Sequence, residues 1–221
     1  MTVEQAIQRI REIGIVPVVR AANTADAMHA VEAVHAGGIP IVEITMTVPD
    51  APSLIRQLAK SHGDRVLIGA GTVLNAEQAN ACLDAGAEFL VSPGLSISVL
   101  ETAKKRAKLA IPGALTPTEI MGADAHGAKL IKVFPCGNLG GSKYLKSLRG
   151  PFPNLSLIPT GGVNASNAAE FLAAGAFALG VGSELVNATA LREGKLDEIT
   201  HAAKELVAAI QTFRNAKSSA V

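Results

Sequence analysis

Short apolar segments alternate with helical patterns along the chain, and this order predicts an α/β fold, a single-domain (β/α)8 TIM barrel with an extra N-terminal helix. Eight segments have the length and β-branched content of buried parallel strands. A glycine followed by an apolar strand recurs in AGGIPIVEI, AGAEFLVS, HGAKLIKV and AGAFALGV, roughly every 40 to 50 residues, as repeated architecture would. Unusual residues stand at most strand ends rather than at one crevice, which favours the barrel over its main rival, a doubly wound open sheet.

Capping residues mark where several helices begin and end. The first helix, in MTVEQAIQRIREIG, is expected to end at Gly14. Thr24 is a candidate cap for the second helix. Asn75 and Thr116 each precede a Gln or Glu by three positions, the spacing of a capping box, so both are expected to begin helices.

The strand candidates are spread along one continuous domain. They lie at 15–19, 41–45, 66–70, 88–91, 109–112, 129–134, 155–159 and 177–181. Apolar residues at helical spacing predict a last helix over 197–213. Because no linker or composition shift divides the chain, we expect residues 1–213 to form the barrel and residues 214–221 to be a frayed tail.

The composition favours a cytoplasmic protein that acts on small molecules. The 221 residues carry 20 basic and 19 acidic side chains, a formal net charge of +1 without a Lys/Arg run, so neither nucleic acid nor a membrane is an expected partner. Cys82 and Cys136 have no CxxC spacing, and the five histidines form no HxH or HExxH pair, so no metal or other cofactor is expected. The charged N-terminal helix is unlike a signal peptide, and no apolar run is long enough to span a bilayer.

Lys132 is a charged residue within an apolar sequence. It lies in the middle of KLIKVFP, a short apolar run that is typical of a buried strand. A buried ammonium is costly unless it is paired or loses its proton, and an unprotonated amine is a nucleophile towards carbonyls. The alternative is a lysine at a sheet edge whose stem lets the ammonium reach water.

Three further strand-end residues have a use if Lys132 attacks a ketone. Arg20 offers a fixed positive charge for a substrate carboxylate, although a solvated loop arginine is the alternative. Glu43, surrounded by apolar neighbours in IVEIT, can move protons, or it can be a structural ion pair with Lys132. Thr72 can orient a carboxylate or hydroxyl group, or it can simply cap a helix.

Two glycine-containing loops are candidates for phosphate binding. PTGGV and GVGS follow the seventh and eighth predicted strands and contain Gly161, Gly162, Gly182 and Ser183. Glycines let backbone N–H groups approach an anion closely, and Ser183 is expected to open a short helix that faces the same point. Loops after strands 7 and 8 of such barrels frequently hold phosphate. The alternative is two tight turns that need glycine.

The motifs VEITMTVP, IGAGTVLN, VSPG, IPG, IKVFP, PTGGV and GVGS occur in the order expected of one family. As a set they resemble the bacterial 2-keto-3-deoxy-6-phosphogluconate (KDPG) and 4-hydroxy-2-oxoglutarate (KHG) aldolases. The resemblance implies a class I aldolase on a (β/α)8 barrel, usually a homotrimer, that needs no metal. It also implies cleavage of KDPG to pyruvate and glyceraldehyde 3-phosphate in the Entner-Doudoroff route.

The resemblance also assigns roles to individual residues. Lys132 stands where the family has its Schiff-base lysine, and Glu43 matches the general acid/base glutamate. Thr72 and Pro93 fall on positions that line the pyruvyl pocket. The family's phosphate site corresponds to the loops with Gly161, Gly162, Gly182 and Ser183. The remaining expected substrate-binding residues are Phe134 and Thr160.

One position departs from the family pattern. Many members have an arginine shortly after the glutamate, as in VEVTLRT, and this chain has Thr47 there. Arg20, in VVRA, resembles the alternative arrangement in which the carboxylate-binding arginine ends the first strand.

Several functions are consistent with the sequence. It does not separate KDPG from its galactonate epimer or from the unphosphorylated KHG, because such a choice rests on a few contacts of modest energy. A phosphosugar isomerase or epimerase on the same barrel also fits, as does a non-catalytic scaffold that binds phosphorylated ligands.

Overall fold

The computed structural model describes residues 1–63 and 65–219 and shows parallel strands surrounded by helices. The strands are β1 Ile15–Val19, β2 Ile41–Thr45, β3 Leu67–Gly71, β4 Phe89–Val91, β5 Leu109–Ile111, β6 Gly113–Ala114, β7 Ile131–Val133, β8 Leu157–Pro159 and β9 Leu179–Val181. The helices are α1 Val3–Ile13, α2 Thr24–Ala36, α3 Ala51–His62, α4 Ala76–Asp84, α5 Ile97–Lys105, α6 Pro117–Ala125, α7 Ser142–Arg149, α8 Ala168–Ala173, α9 Ala188–Arg192 and α10 Leu196–Ser218, with a 3-10 turn at Gly137–Leu139. None of the helices in the described ranges is long and apolar enough to cross a membrane.

The strands close into a barrel, as predicted. Six of them follow the order β5-β4-β3-β2-β1-β9 and three the order β6-β7-β8. β5 and β6 are successive pieces of the fifth barrel strand, separated at Pro112, which has no N–H to donate but accepts a hydrogen bond from the backbone of Lys132. A bridge between Thr160 and Gly180 joins the β8 side to β9. The ring is therefore a (β/α)8 barrel with α1 as its extra N-terminal helix.

The register of the strands carries the two unusual charged residues into the barrel. Glu43 on β2 pairs with Val18 on β1 and Gly69 on β3. Lys132 on β7 pairs with Gly113 and with Ile158 on β8. Since alternate residues of a barrel strand face inward, Glu43 and Lys132 both line a small internal cavity.

Local hydrogen bonds confirm most of the expected helix boundaries. Gly14 ends α1 with a φ of 79°, Asn75 accepts a hydrogen bond at the start of α4, and Thr116 forms a full capping box at α6. The expected cap at Thr24 is wrong by one residue. Asn23 caps α2, because its side-chain oxygen accepts the N–H of Asp26 at 2.8 Å.

The last helix continues beyond its expected end. α10 runs to Ser218 instead of ending at 213, while 220 and 221 lie outside the described residues. Arg214 explains the extension, since its guanidinium donates to the backbone oxygens of Arg11 and Glu12 at the end of α1. These hydrogen bonds tie the two ends of the chain together.

We expect Gly69→Ala to destabilise the protein by about 1–3 kcal/mol. A Cβ on Gly69 would lie 2.2 Å from the Phe89 ring, which is fully buried and has no space to move. Urea unfolding measures the change. Gly94→Ala is the matched control because a Cβ there meets nothing within 4 Å. Equal free energies of unfolding for the two variants would contradict the prediction.

Candidate active site

Lys132 and Glu43 form a buried pair across the inside of the barrel. Lys132 Nζ lies 3.8 Å from Glu43 Oε1, and their side chains are 7% and 3% exposed. Lys132 Nζ also lies 5.3 Å from the centroid of the Phe134 ring. Because the lysine comes from β7 and the glutamate from β2, only barrel closure brings them together.

The surroundings of Glu43 favour the protonated form of its carboxyl group. Burial raises the pKa of its carboxyl group, and the nearby charges of Lys132 and Arg20 oppose this shift without reversing it. Its Oε1 is buried and has no hydrogen-bond partner among the described residues. At 3.8 Å the contact with Lys132 is longer than a hydrogen bond, so both groups remain available to a third one.

Two glycines make room for these side chains. A Cβ on Gly71, at the end of β3, would lie 1.8 Å from Glu43 Oε1. A Cβ on Gly180 would lie 2.1 Å from the hydroxyl oxygen of Thr160. The sequence prediction missed both residues. For Gly71 the available signal was a glycine on the strand beside the one that carries Glu43.

One pocket gathers most of the predicted residues at the carboxyl ends of the strands. Its volume is about 250 Å³. The predicted residues that line it are Arg20, Lys132, Phe134, Thr160, Gly161, Gly162, Gly182 and Ser183. Val18, Glu184, Val186 and Ala188 also line it and were not predicted. Glu43 does not line this pocket but lines the internal cavity, and Lys132 and Thr160 line both.

The two glycine-containing loops present unused backbone donors to this pocket. Gly161 and Gly162 have φ angles of 93° and 74°, which favour glycine. Within the described chain, the N–H groups of Gly161, Gly162, Gly182 and Ser183 donate no hydrogen bond. Asn167 Nδ2 donates to the Gly162 oxygen at 2.8 Å and so holds the first loop in place. Such free donors can bind an anion.

The expected helix at Ser183 is absent. The residues after Gly182 form a turn in which Leu185 and Val186 donate to the Gly182 oxygen, and α9 begins only at Ala188. The reason is local, because Asn187 caps α9 with its own side chain.

Thr72 and Pro93 follow β3 and β4 at the same end of the barrel but do not line the pocket. Thr72 has a φ of 55°, in the left-handed region, and is half-buried. The Pro93 carbonyl packs against Gly113, where a Cβ would lie 2.2 Å from its oxygen.

Thr47, at the departure from the family pattern, makes a purely local contact. Its hydroxyl lies 2.7 Å from that of Thr45, which donates to the Val19 oxygen. Arg20 is the arginine that lines the pocket. A carboxylate that enters the pocket would therefore meet Arg20.

The cysteines and the other residues that could bind a metal form no second functional site in the described ranges. Cys82 and Cys136 are free and buried, and burial raises the pKa of each thiol to about 11. Among residues 1–63 and 65–219, no three His, Cys, Asp or Glu side chains are grouped to hold a metal ion.

Comparison with known proteins identifies the family of the chain. The family described as KDPG and KHG aldolase matches residues 6–202. The KHG/KDPG aldolase of Escherichia coli K12 is 37% identical over 87% of this chain and 90% of its own length.

Solved structures of similar proteins also match. The KDPG aldolase of Legionella pneumophila, crystallised with pyruvate captured as a covalent carbinolamine, is 32% identical. The match covers 90% of this chain and 97% of the Legionella chain, with a TM-score of 0.83. A cube-shaped protein cage designed by fusing symmetric oligomeric domains is 28% identical, with a TM-score of 0.84 over 93% of this chain and 75% of the cage chain.

The resemblance inferred from the sequence motifs is confirmed by the family match and by a relative of more than one-third identity. The chain belongs to the KDPG and KHG aldolase family of carbon-carbon lyases.

Proposed function

We propose that the protein cleaves KDPG to pyruvate and glyceraldehyde 3-phosphate through a Schiff base on Lys132. The observation that carries the proposal is the enclosed Lys132–Glu43 pair beside a pocket with an arginine and unused backbone N–H groups. A buried amine, a proton carrier and two anion-binding regions are what a phosphorylated 2-keto acid requires. The proposed setting is the cytoplasm and the Entner-Doudoroff route.

The pocket lining suggests how the substrate lies. Lys132 faces the C2 ketone, and Arg20 binds the C1 carboxylate. The loops with Gly161 and Gly182 bind the phosphate at the other end of the carbon chain. Phe134 and Thr160 flank the reacting carbons, whereas Thr72 and Pro93 lie at the same end of the barrel without lining the pocket.

The reaction begins with addition of the Lys132 amine to C2. The carbinolamine hydroxyl then takes the proton of Glu43 and leaves as water, which gives an iminium and leaves Glu43 as a carboxylate. The C4 hydroxyl then loses its proton to Glu43, directly or through water, and the electrons of the C3–C4 bond move into the iminium. Glyceraldehyde 3-phosphate leaves and an enamine remains. Glu43 returns the proton to C3, and water hydrolyses the imine to release pyruvate.

A second proposed substrate is KHG, which would give pyruvate and glyoxylate. The E. coli relative carries both substrates in its name. The pyruvyl half of KHG is the same as that of KDPG, so Lys132, Glu43 and Arg20 would act in the same way. Comparison of kcat/KM for KDPG, its galactonate epimer and KHG measures the preference.

We also propose a homotrimer, as the family resemblance implies. The similar cage protein was designed from symmetric oligomeric domains, which is compatible with self-association of such a barrel. Light scattering of the full chain measures the mass of the assembly.

Incubation with pyruvate and borohydride should modify Lys132. Reduction of the imine would add the mass of one pyruvate less one oxygen atom, because the enclosed amine is beside a pocket that admits a 2-keto acid. Peptide mapping locates the addition. We expect Lys132→Ala to lose both the addition and pyruvate release from KDPG. Lys129→Ala, an exposed neighbour, should retain both. An unmodified Lys132 in active protein would sink the proposed mechanism.

Stability should depend on pH through Glu43. Its folded-state pKa is raised, so the folded protein retains a proton that the unfolded chain releases above the ordinary value of 4.5. The stabilising contribution of the protonated group is therefore lost as the pH rises through the folded pKa. Glu43→Gln does not titrate, so its free energy of unfolding relative to wild type should rise over that range. Urea unfolding at a series of pH values measures this difference, and a flat difference would contradict the raised pKa.

Gly71→Ala should slow turnover without preventing imine formation. The added Cβ would lie 1.8 Å from Glu43 Oε1 and must displace that carboxyl group. We expect kcat to fall by about 10- to 100-fold, since a shift of this size misplaces the proton carrier. Pyruvate should still be trapped on Lys132.

Gly94→Ala serves as control for the loss of a glycine near the mouth, and Glu43→Gln as the reference for complete loss of the proton carrier. If Gly71→Ala had wild-type kcat, Gly71 would have no positioning role.

A further inference from the structure

A second concave surface lies at the opposite end of the barrel from the catalytic pocket. It has a volume of about 420 Å³ and opens where β8 and β9 begin, beside Leu155, Ser156 and Phe177. We call it the basal cleft. The residues that line it are Arg11, Arg149, Asn154, Leu155, Ser156, Leu172, Gly175, Ala176, Phe177, Phe213, Arg214 and Lys217.

The basal cleft concentrates positive charge in a protein that is nearly neutral. Four cations, Arg11, Arg149, Arg214 and Lys217, line it, and this lining contains no carboxylate. The formal net charge of the whole chain is only +1. Within residues 1–63 and 65–219, no Asp or Glu forms an ion pair with any of the four. Like charges held this close repel each other, and an anion bound in the cleft would offset this repulsion.

Arg149 and Arg214 are held in place by the backbone. Arg149 Nη1 donates to the oxygens of Phe152 and Leu155, and its Nε lies 2.9 Å from where a Cβ on Gly175 would be. Arg214 donates through Nη1 and Nη2 to the oxygens at the end of α1. Carbonyl oxygens orient a guanidinium but do not neutralise it, and each arginine has five N–H donors. Both arginines therefore retain charge and unused donors.

Arg11 is positioned by a different contact. Its guanidinium carbon lies 4.9 Å from the centroid of the Phe177 ring. Lys217 follows Arg214 by three positions on α10, so it lies on the same side of that helix. Three guanidinium groups of limited freedom and one flexible ammonium thus surround one cavity. Such preorganised guanidinium groups suit phosphate, because the planar guanidinium can donate two parallel hydrogen bonds to two phosphate oxygens.

We propose that the basal cleft is a binding site for a small phosphorylated ligand that carries at least two anionic groups. The cavity is too small for a macromolecular surface, and the charge of four cations exceeds what one monoanion would balance. The site is distinct from the catalytic pocket, since the two have no lining residue in common. The proposal is independent of the substrate of the lyase reaction.

Isothermal titration of the full chain with inorganic pyrophosphate at low salt tests the site. The double variant Arg11→Gln/Lys217→Gln removes two cations whose side chains make no hydrogen bond to the described protein. We expect its affinity for pyrophosphate at this site to fall by at least about tenfold, because charge-assisted hydrogen bonds are lost. Binding to wild type should also weaken as salt is added.

The matched control is Arg56→Gln/Lys204→Gln, which removes the same charge from exposed positions. Lys204 lies on the same helix as Lys217 but about 20 Å along its axis, at 1.5 Å per residue. We expect this control to bind pyrophosphate like wild type. Since the catalytic loops can also take phosphate, only the binding event that differs between the two double variants reports the basal cleft.

Both double variants should retain lyase activity in phosphate-free buffer, which shows that they are folded. Equal pyrophosphate binding by the two double variants would overturn the proposal, as would wild-type protein that binds no pyrophosphate. A loss confined to Arg11→Gln/Lys217→Gln, with lyase activity intact, would establish the site whatever the preferred 2-keto acid is.

Discussion

The enclosure of one lysine and one glutamate inside the barrel is the constraint on which the proposed active site depends. Both Lys132 and Glu43 are almost fully removed from water, and each charge loses its hydration there. At Glu43 this loss outweighs the attraction of Lys132 and Arg20, so the pKa of the carboxyl group is raised. A carboxyl group that retains its proton beside an amine can serve both steps of imine chemistry, since it can give and take the same proton.

The space for this pair comes from backbone positions without side chains. Gly71 leaves room for the carboxyl group of Glu43, and Gly180 leaves room for Thr160. Elsewhere the interior is filled, as at Gly69, which is covered by the Phe89 ring. Gly71 and Gly180 therefore leave space for polar side chains in the barrel, whereas Gly69 leaves space for an apolar ring.

The parallel direction of the strands gives the two ends of the barrel different chemistry. At the carboxyl ends, the loops after β8 and β9 offer unused N–H groups of Gly161 and Gly182 to the catalytic pocket. At the amino ends of the same two strands, the basal cleft offers guanidinium groups such as those of Arg149 and Arg214. Both ends are suited to anions, one through backbone dipoles and the other through charged side chains. One pair of strands thus connects the two surfaces that we propose to bind phosphate.

The sequence by itself determined the elements, the barrel and the residues with unusual chemistry, because those depend on local pattern. Lys132 and Glu43 stood out as charges inside apolar strands, and the start of α6 followed from a cap within four residues. The same local reasoning placed one cap at Thr24 instead of Asn23, since neighbouring residues can both cap a helix. Contacts between distant residues could not be read in this way. The tertiary structure alone decided that Arg214 reaches α1 across 202 positions, that Gly71 faces Glu43, and that four separate cations surround one cleft. Such contacts depend on the register of strands around a closed ring, and local sequence does not encode which residues that register brings together.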